Sequence, residues 1–270
     1  MFVSEEISTF SHVDAAANAD SLVEFLDRTA AAHFAEINRH SFDLLRLREN
    51  SSVLDVGCGT GDDVRAMRGR LKAGGSATGI DLSQHMIEEA RLRDRRSAFA
   101  SRFLVGDVRD LLFADGSFDA CRISRVLLHL DDPEAALREV SRVTRPGGRI
   151  VAIEPDFGTL ALAHPDRETT RAVANAFCDS FAHGTAGRWL SVWLRRLGMR
   201  EIRCEPHVVA IDAAFLRNGF QIEQAAKRAS ELNLASAERC SDFLRVLDDT
   251  AVKDEFFCSA TVVVASATRP

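Results

Sequence analysis

Apolar residues recur along this chain with two different periods. Short runs dense in Val, Ile, Leu and Ala stand near 52–56, 76–81, 102–106, 118–124 and 148–154. Between them, near 61–72, 83–96 and 133–144, apolar positions recur at helical spacing. Buried strands linked by amphipathic helices predict an α/β chain with a parallel sheet and right-handed crossovers. Upstream, residues 12 to 47 also read as helical, through Leu22, Phe25, Leu26, Ala30, Phe34, Ile37, Phe42, Leu44 and Leu45. Past Glu154 the pattern loosens. It predicts helices at about 166–183 and 185–198, the second closed by Gly198, then a strand at 201–211. Helical patterns at 212–232 and 236–248 precede a β-branched run from Glu255 to Ser266. More than forty residues thus separate the last two strands, too many for an idle connection.

The first strand ends in a distinctive way. Val53-Leu54-Asp55-Val56 runs into Gly57-Cys58-Gly59-Thr60-Gly61, with Gly at every second position. Glycine lets the backbone take positive φ and leaves room for a ligand to approach the main chain. The helix that begins near Asp62 offers unpaired N–H groups and a partial positive charge. The spacing is G-x-G-x-G rather than the G-x-G-x-x-G of dinucleotide folds, and Asp55 would repel a pyrophosphate. An acid beside bare N–H groups suits a small zwitterion. Further acids close the next strands: Ala77-Thr78-Gly79-Ile80-Asp81, then Phe103-Leu104-Val105-Gly106-Asp107-Val108. Ser83 is placed to cap a helix through Met86, Ile87 and Ala90. Asp132 before Pro133 is a second helix start, and Arg145-Pro146-Gly147-Gly148 turns into the fifth strand.

In type, order and spacing these segments resemble the class I, Rossmann-like S-adenosylmethionine-dependent methyltransferases, over roughly residues 45 to 156. The overall look is that of the type 11, ubiquinone/menaquinone-methyltransferase-like branch. The resemblance implies a seven-stranded, mostly parallel sheet with helices on both faces. It implies a helical cap drawn from the N-terminus and from insertions after strands five and six. In that reading 1–270 is a single methyltransferase domain, with an N-terminal helical cap at 1–47 and a cofactor-binding core at 48–156. Cap segments follow at 157–200 and 212–254, and the last two strands lie at 201–211 and 255–266. The implied cofactor is S-adenosyl-L-methionine, leaving as S-adenosyl-L-homocysteine. Its implied site comprises Asp55, Gly57, Cys58, Gly59 and Gly61 on the loop, and Asp81, Leu82 and Met86 after the second strand. Gly106, Asp107 and Val108 follow the third strand, and Ser124 and Arg125 the fourth. Asp81 would take the ribose hydroxyls and Asp107 the adenine amine.

Composition bounds the acceptor. A net charge of −6 argues against a protein that holds nucleic acid by phosphate neutralisation. The basic run Arg91 to Arg96 lies at a predicted helix C-terminus, where cations are favoured. No apolar run is long enough to span a membrane, and the acidic N-terminus lacks the features of a secretory signal. Six cysteines without a C-x-x-C pair fit reduced, cytoplasmic usage, and no metal is expected. The expected partner is a small-molecule methyl acceptor, for a monomer or homodimer.

His129, five residues past Ser124, is the candidate general base. Arg125 is expected either to pair with Asp131, Asp132 or Glu154, or to hold a carboxylate of cofactor or acceptor. Glu154 and Asp156 stand at the pocket edge. Cys58 reads as a small filler. The tetrapeptide of adenine and amide methylases, the Pro-Cys of cytosine methylases and the acidic magnesium cluster of catechol-type enzymes are all missing. By elimination the expected acceptor is a small, fairly apolar metabolite, and the resemblance implies one that is quinone-like or a natural product. A protein or RNA methyltransferase and a non-catalytic nucleoside-binding module remain open as alternatives.

Overall fold

The computed structural model describes residues 34–97 and 99–270; the helical spacing read across 12–33 lies outside the described residues. The five apolar runs form β1 (Ser52–Val56), β2 (Ser76–Asp81), β3 (Arg102–Val105), β4 (Phe118–Ser124) and β5 (Thr144–Leu162). They pair in parallel in the order β3-β2-β1-β4-β5, so the strand order reverses between β1 and β4. β6 (Arg200–Ala210) and β7 (Cys258–Thr268) complete the sheet, with β7 lying between β5 and β6 and antiparallel to both. Six strands therefore run one way and β7 alone runs against them, the seven-stranded, mostly parallel Rossmann-like sheet that the resemblance implied.

Both faces are covered, and the strand period of two shows how. Val53, Ala120, Val151 and Ile153 pack with Phe42 of α1 (Ala35–Leu44), Met67 of α2 (Asp62–Arg68) and Ile87 of α3 (Gln84–Asp94). Their neighbours Leu54, Cys121, Ile150 and Ala152 point the other way. They meet Leu137 and Val140 of α4 (Pro133–Val143), together with residues of α5 (Arg167–Cys178) and α6 (Ala186–Arg196). The helix starts read from the sequence are built as expected. The Met86 N–H donates to Ser83 Oγ at 3.1 Å, and the Ala135 N–H to Asp132 Oδ1 at 2.9 Å. Both tryptophans sit on α6: Trp193 is buried, edge-on to His183 at 5.9 Å, while Trp189 is exposed.

The helix expected at about 166–183 stops at Cys178, and two further segments depart from the sequence pattern. The fifth strand does not stop at Glu154 but continues through Pro155 and Gly158 to Leu162. Those residues are strand breakers in isolation, yet β7 is long enough to pair with them, Pro155 opposite Val262 and Asp156 opposite Thr261. The register then shifts before Ala161 meets Ser259, which accommodates the Gly158 region as an irregularity. The helical stretch at 212–232 is two helices, α7 (Ala213–Asn218) and α8 (Ile222–Glu231). Gln221, at φ 47°, makes the break and lets Phe220 turn into the core side. α9 (Ala237–Val252) packs against α8 and α5. No helix among the described residues is long and apolar enough to cross a membrane.

Candidate active site

One cavity of about 680 Å³ opens at the carboxyl ends of β1, β2 and β4, where the strand order reverses. Open α/β sheets place their ligands there because the loops diverge and leave a crevice. All the cofactor residues expected from the sequence face this cavity except Gly61, and His129 faces it too. Gly61 instead takes φ 78° at the start of α2, where a Cβ would lie 2.5 Å from the Phe103 ring; its role is packing.

The glycine loop is held from beneath by β2. The Gly57 and Cys58 N–H groups donate to the Ile80 carbonyl at 2.8 and 3.0 Å. Asp81 then reaches across: Oδ2 accepts from the Gly59 N–H at 2.8 Å, and Oδ1 from the Ser83 N–H at 3.0 Å. Asp81 is thus an organiser of two loops as well as an acceptor at the cavity wall. Gly57, at φ 71°, has no space for a side chain, since a Cβ would fall 2.2 Å from Val126 Cγ2. That close approach locks the first loop against the segment after β4. Cys58 is buried, and burial beside Asp81 and Asp55 pushes its thiol well above the ordinary range, so it is an inert filler.

Asp55 behaves differently from the free carboxylate that its position at a strand end implied. It is directly opposite Arg122 of β4 in the parallel register, and Arg122 Nη1 donates to Asp55 Oδ1 at 3.0 Å. Arg122 is almost wholly buried. It also pairs with Asp63 at 2.9 Å, and donates to Asn38 Oδ1 at 2.9 Å and Ser41 Oγ at 3.1 Å. Burial drives the Asp55 carboxyl up to about 7, with Arg122 pulling it back. The acid beneath the loop is therefore a member of a buried charge cluster that draws on β1, β4, α1 and α2. One signal in the sequence pointed to it. An Arg between Cys121 and Ile123 in a central strand must find acids, and β1 carries one at the same level.

The other expected pairs also rearrange. Arg125 has no ion pair among the described residues. Its guanidinium lies over the Phe34 ring at 4.5 Å, on a backbone with φ 57°. Two of the acids considered for it are engaged elsewhere. Asp132 caps α4, and Glu154 is fully buried beneath the turn Leu127–His129. Glu154 accepts from the N–H groups of Val126 (2.9 Å), Leu127 (2.8 Å) and Leu128 (3.4 Å), and burial raises it to about 7. Asp156 takes a two-pronged bond from Arg188, 2.6 Å on each prong. Asp107 is likewise gripped by Arg109 through Nε and Nη2, which lowers its carboxyl below the usual range.

The far half of the cavity is apolar. Phe157, Phe177, Phe181, Phe215 and Phe220 line it as a connected set of rings. Phe177 stacks on Phe220 at 4.8 Å, Phe157 meets Phe181 at 5.0 Å, and Phe215 meets Phe220 at 5.0 Å. Sequence reading passed over them. Phe177 and Phe181 are spaced to share a helical face, but periodicity alone does not tell a packed core from a cavity wall. His129 borders this chamber 5.7 Å from Phe181, and burial and the Arg125 charge lower its imidazole to about 4.

Known proteins agree with the arrangement. A family model described as "Methyltransferase domain" matches residues 54–152. A protein from a transposon of Streptomyces fradiae, described as uncharacterized, is 35% identical over 91% of this chain and 71% of its own length. A demethylmenaquinone methyltransferase of Staphylococcus epidermidis is 34% identical over 46% of this chain and 51% of its own length. The chain thus spans about half of that relative. In structure, the Haemonchus contortus phosphoethanolamine N-methyltransferase 2 bound to S-adenosyl-L-methionine superposes with a TM-score of 0.55 at 17% identity, over 87% of this chain and 52% of that one. With fold and family match in accord, this chain belongs to the class I S-adenosylmethionine-dependent methyltransferases.

Proposed function

We propose that this enzyme methylates an O, N or C atom of a small, fairly apolar metabolite of quinone-like or natural-product character. The phenylalanine chamber carries the reading. It is continuous with the glycine loop, and about 680 Å³ suits a nucleoside cofactor with a compact second ligand beside it. The demethylmenaquinone methyltransferase relative supports the same class of acceptor. Residues 48–156 then form the cofactor core, and the flanking helices form a cap that excludes water.

The residues fit the cofactor as follows. Asp81 and Leu82 would hold the ribose and Asp107 and Val108 the adenine, with Gly57 to Gly59 against the amino-acid end. Arg125, which faces the cavity with no ion-pair partner among the described residues, would receive a carboxylate. The bound cofactor supplies a methyl group already activated on a sulfonium, so the protein's share is alignment and desolvation. The chamber orients the acceptor in line with that methyl group.

His129 shapes this geometry more than it moves protons. An imidazole lowered to about 4 is neutral throughout the physiological range and is a weak base there. His129→Ala is expected to lower kcat tenfold or less, and the wild-type pH–rate profile should show no imidazole limb between about pH 6 and 8. A general base would cost about 10²–10⁴-fold instead, and a loss of that size would restore His129 to the proton path.

Calorimetry with S-adenosylmethionine, followed by uptake of labelled methyl from it into a metabolite extract, tests the function. Label is expected in the organic-soluble fraction. Label in protein or RNA fractions would replace the acceptor class. Binding with no uptake anywhere would leave a nucleoside-binding module.

A further inference from the structure

On the sheet face that carries α1, three metal-ligating side chains that do not line the cavity converge. His40 comes from α1; Glu205 and His207 come from alternate positions of β6 and so share one face of that strand. One donor atom from each lies within 4.8 Å of the other two. His40 Nε2 is 2.7 Å from Glu205 Oε2, and the two imidazole rings stand 5.7 Å apart at 57°. His207 Nε2 is shielded from solvent and has no hydrogen-bond partner among the described residues. An imidazole nitrogen in that state loses its hydration without recovering a bond. Among the described residues no other trio of such donors gathers this closely. The chain separates His40 from Glu205 by 165 residues, so no local motif announces the group.

We propose that His40, Glu205 and His207 form a binding site for a divalent transition ion, with zinc as the ion of choice. Two imidazoles and one carboxylate are a zinc donor set, and a fourth position remains for water. Zinc–ligand distances of about 2.0–2.2 Å put tetrahedral donors about 3.4 Å apart, so the 2.7 Å His40–Glu205 pair opens slightly and the His207 donor, within 4.8 Å of both, closes in, each by a small side-chain rotation. The ion would displace the proton shared by His40 and Glu205 and give His207 Nε2 its missing partner.

The consequence is mechanical. A metal here ties α1 to the edge strand of the sheet. α1 also supplies Asn38 and Ser41 to Arg122, which holds Asp55 beneath the cofactor loop. On the same inward row of β6, Val209 already lines the cavity. The ion is therefore a structural staple for one wall of the site, and its ligands lie outside the methyl-transfer machinery.

The test uses the full chain without an affinity tag, freed of metal and titrated with zinc against a chromogenic chelator. Cobalt substitution reads the coordination geometry by visible absorption. One ion per chain is expected, with the intense absorption of a four-coordinate cobalt site and a rise in Tm on adding zinc. His40→Ala and His207→Ala should each weaken zinc binding by more than about tenfold, and Glu205→Gln should weaken it as well. All three positions are partly exposed, so the variants should fold, which circular dichroism checks. Should a variant not fold, the wild-type cobalt spectrum and stoichiometry still decide. No tight ion in the wild type, or equal affinity in the folded variants, would overturn the site.

Discussion

Arg122→Ala is expected to destabilise the fold by about 3–5 kcal/mol, the cost of removing one partner from a buried ion pair. The reason lies with what stays behind. Asp55 is buried and, without the guanidinium 3.0 Å away, must either carry an unpaired charge or take up a proton, and Asp63, Asn38 and Ser41 would lose the same partner. Acidification should relieve part of the loss. With Arg122 gone, the folded-state pKa of Asp55 moves further above its unfolded value. Folding then favours the protonated acid, and stability falls as pH rises through the window between those values. Urea unfolding at pH 6 and pH 8 should show the larger deficit at pH 8. A deficit under about 1 kcal/mol at both would mean that the cluster is solvated and the pairing ornamental.

Asp81→Ala should weaken S-adenosylmethionine binding by about 1.5–3 kcal/mol, roughly 10- to 150-fold in Kd, the scale of hydrogen bonds to a charged acceptor. Two losses combine. The ribose would lose its carboxylate in the proposed pose, and the Gly59 and Ser83 N–H groups would lose the acceptor that arranges their loops. Asp81→Asn separates them: one amide oxygen can still serve a loop N–H, so the asparagine variant should fall between wild type and alanine. S-adenosylhomocysteine shares the nucleoside and should lose affinity in parallel. Unchanged dissociation constants in a folded variant would place the ribose elsewhere.

The sequence made the sheet legible because its strands are short, buried and punctuated by turn residues, and because Ser83 and Asp132 are strong local caps. It also brought the loop, Asp81 and Asp107 to one edge, since strand ends in a parallel sheet share that edge by construction. What escaped it was long-range pairing. Asp55 meets Arg122 only because β1 and β4 adjoin in that register, and Glu154 serves the turn after β4 rather than Arg125. The extension of β5 past Pro155 was hidden for the same reason: a distant partner strand overrode local breakers. The phenylalanines of the chamber looked like ordinary core because burial around a cavity and burial in a packed interior have the same periodicity.

The chain has no tyrosine, and its two tryptophans are both on α6. Excited at wavelengths beyond phenylalanine absorption, its intrinsic emission is therefore a single-helix signal. The same helix carries Arg188 in its first turn, and its fork grips Asp156 in the extended part of β5. Trp193, enclosed, and Trp189, wetted, give that one helix an inner and an outer optical channel. A quencher dissolved in the buffer would reach Trp189 first. A ligand that shifts the β5 wall would instead change the light from Trp193, so filling of the chamber can be followed by fluorescence without a label.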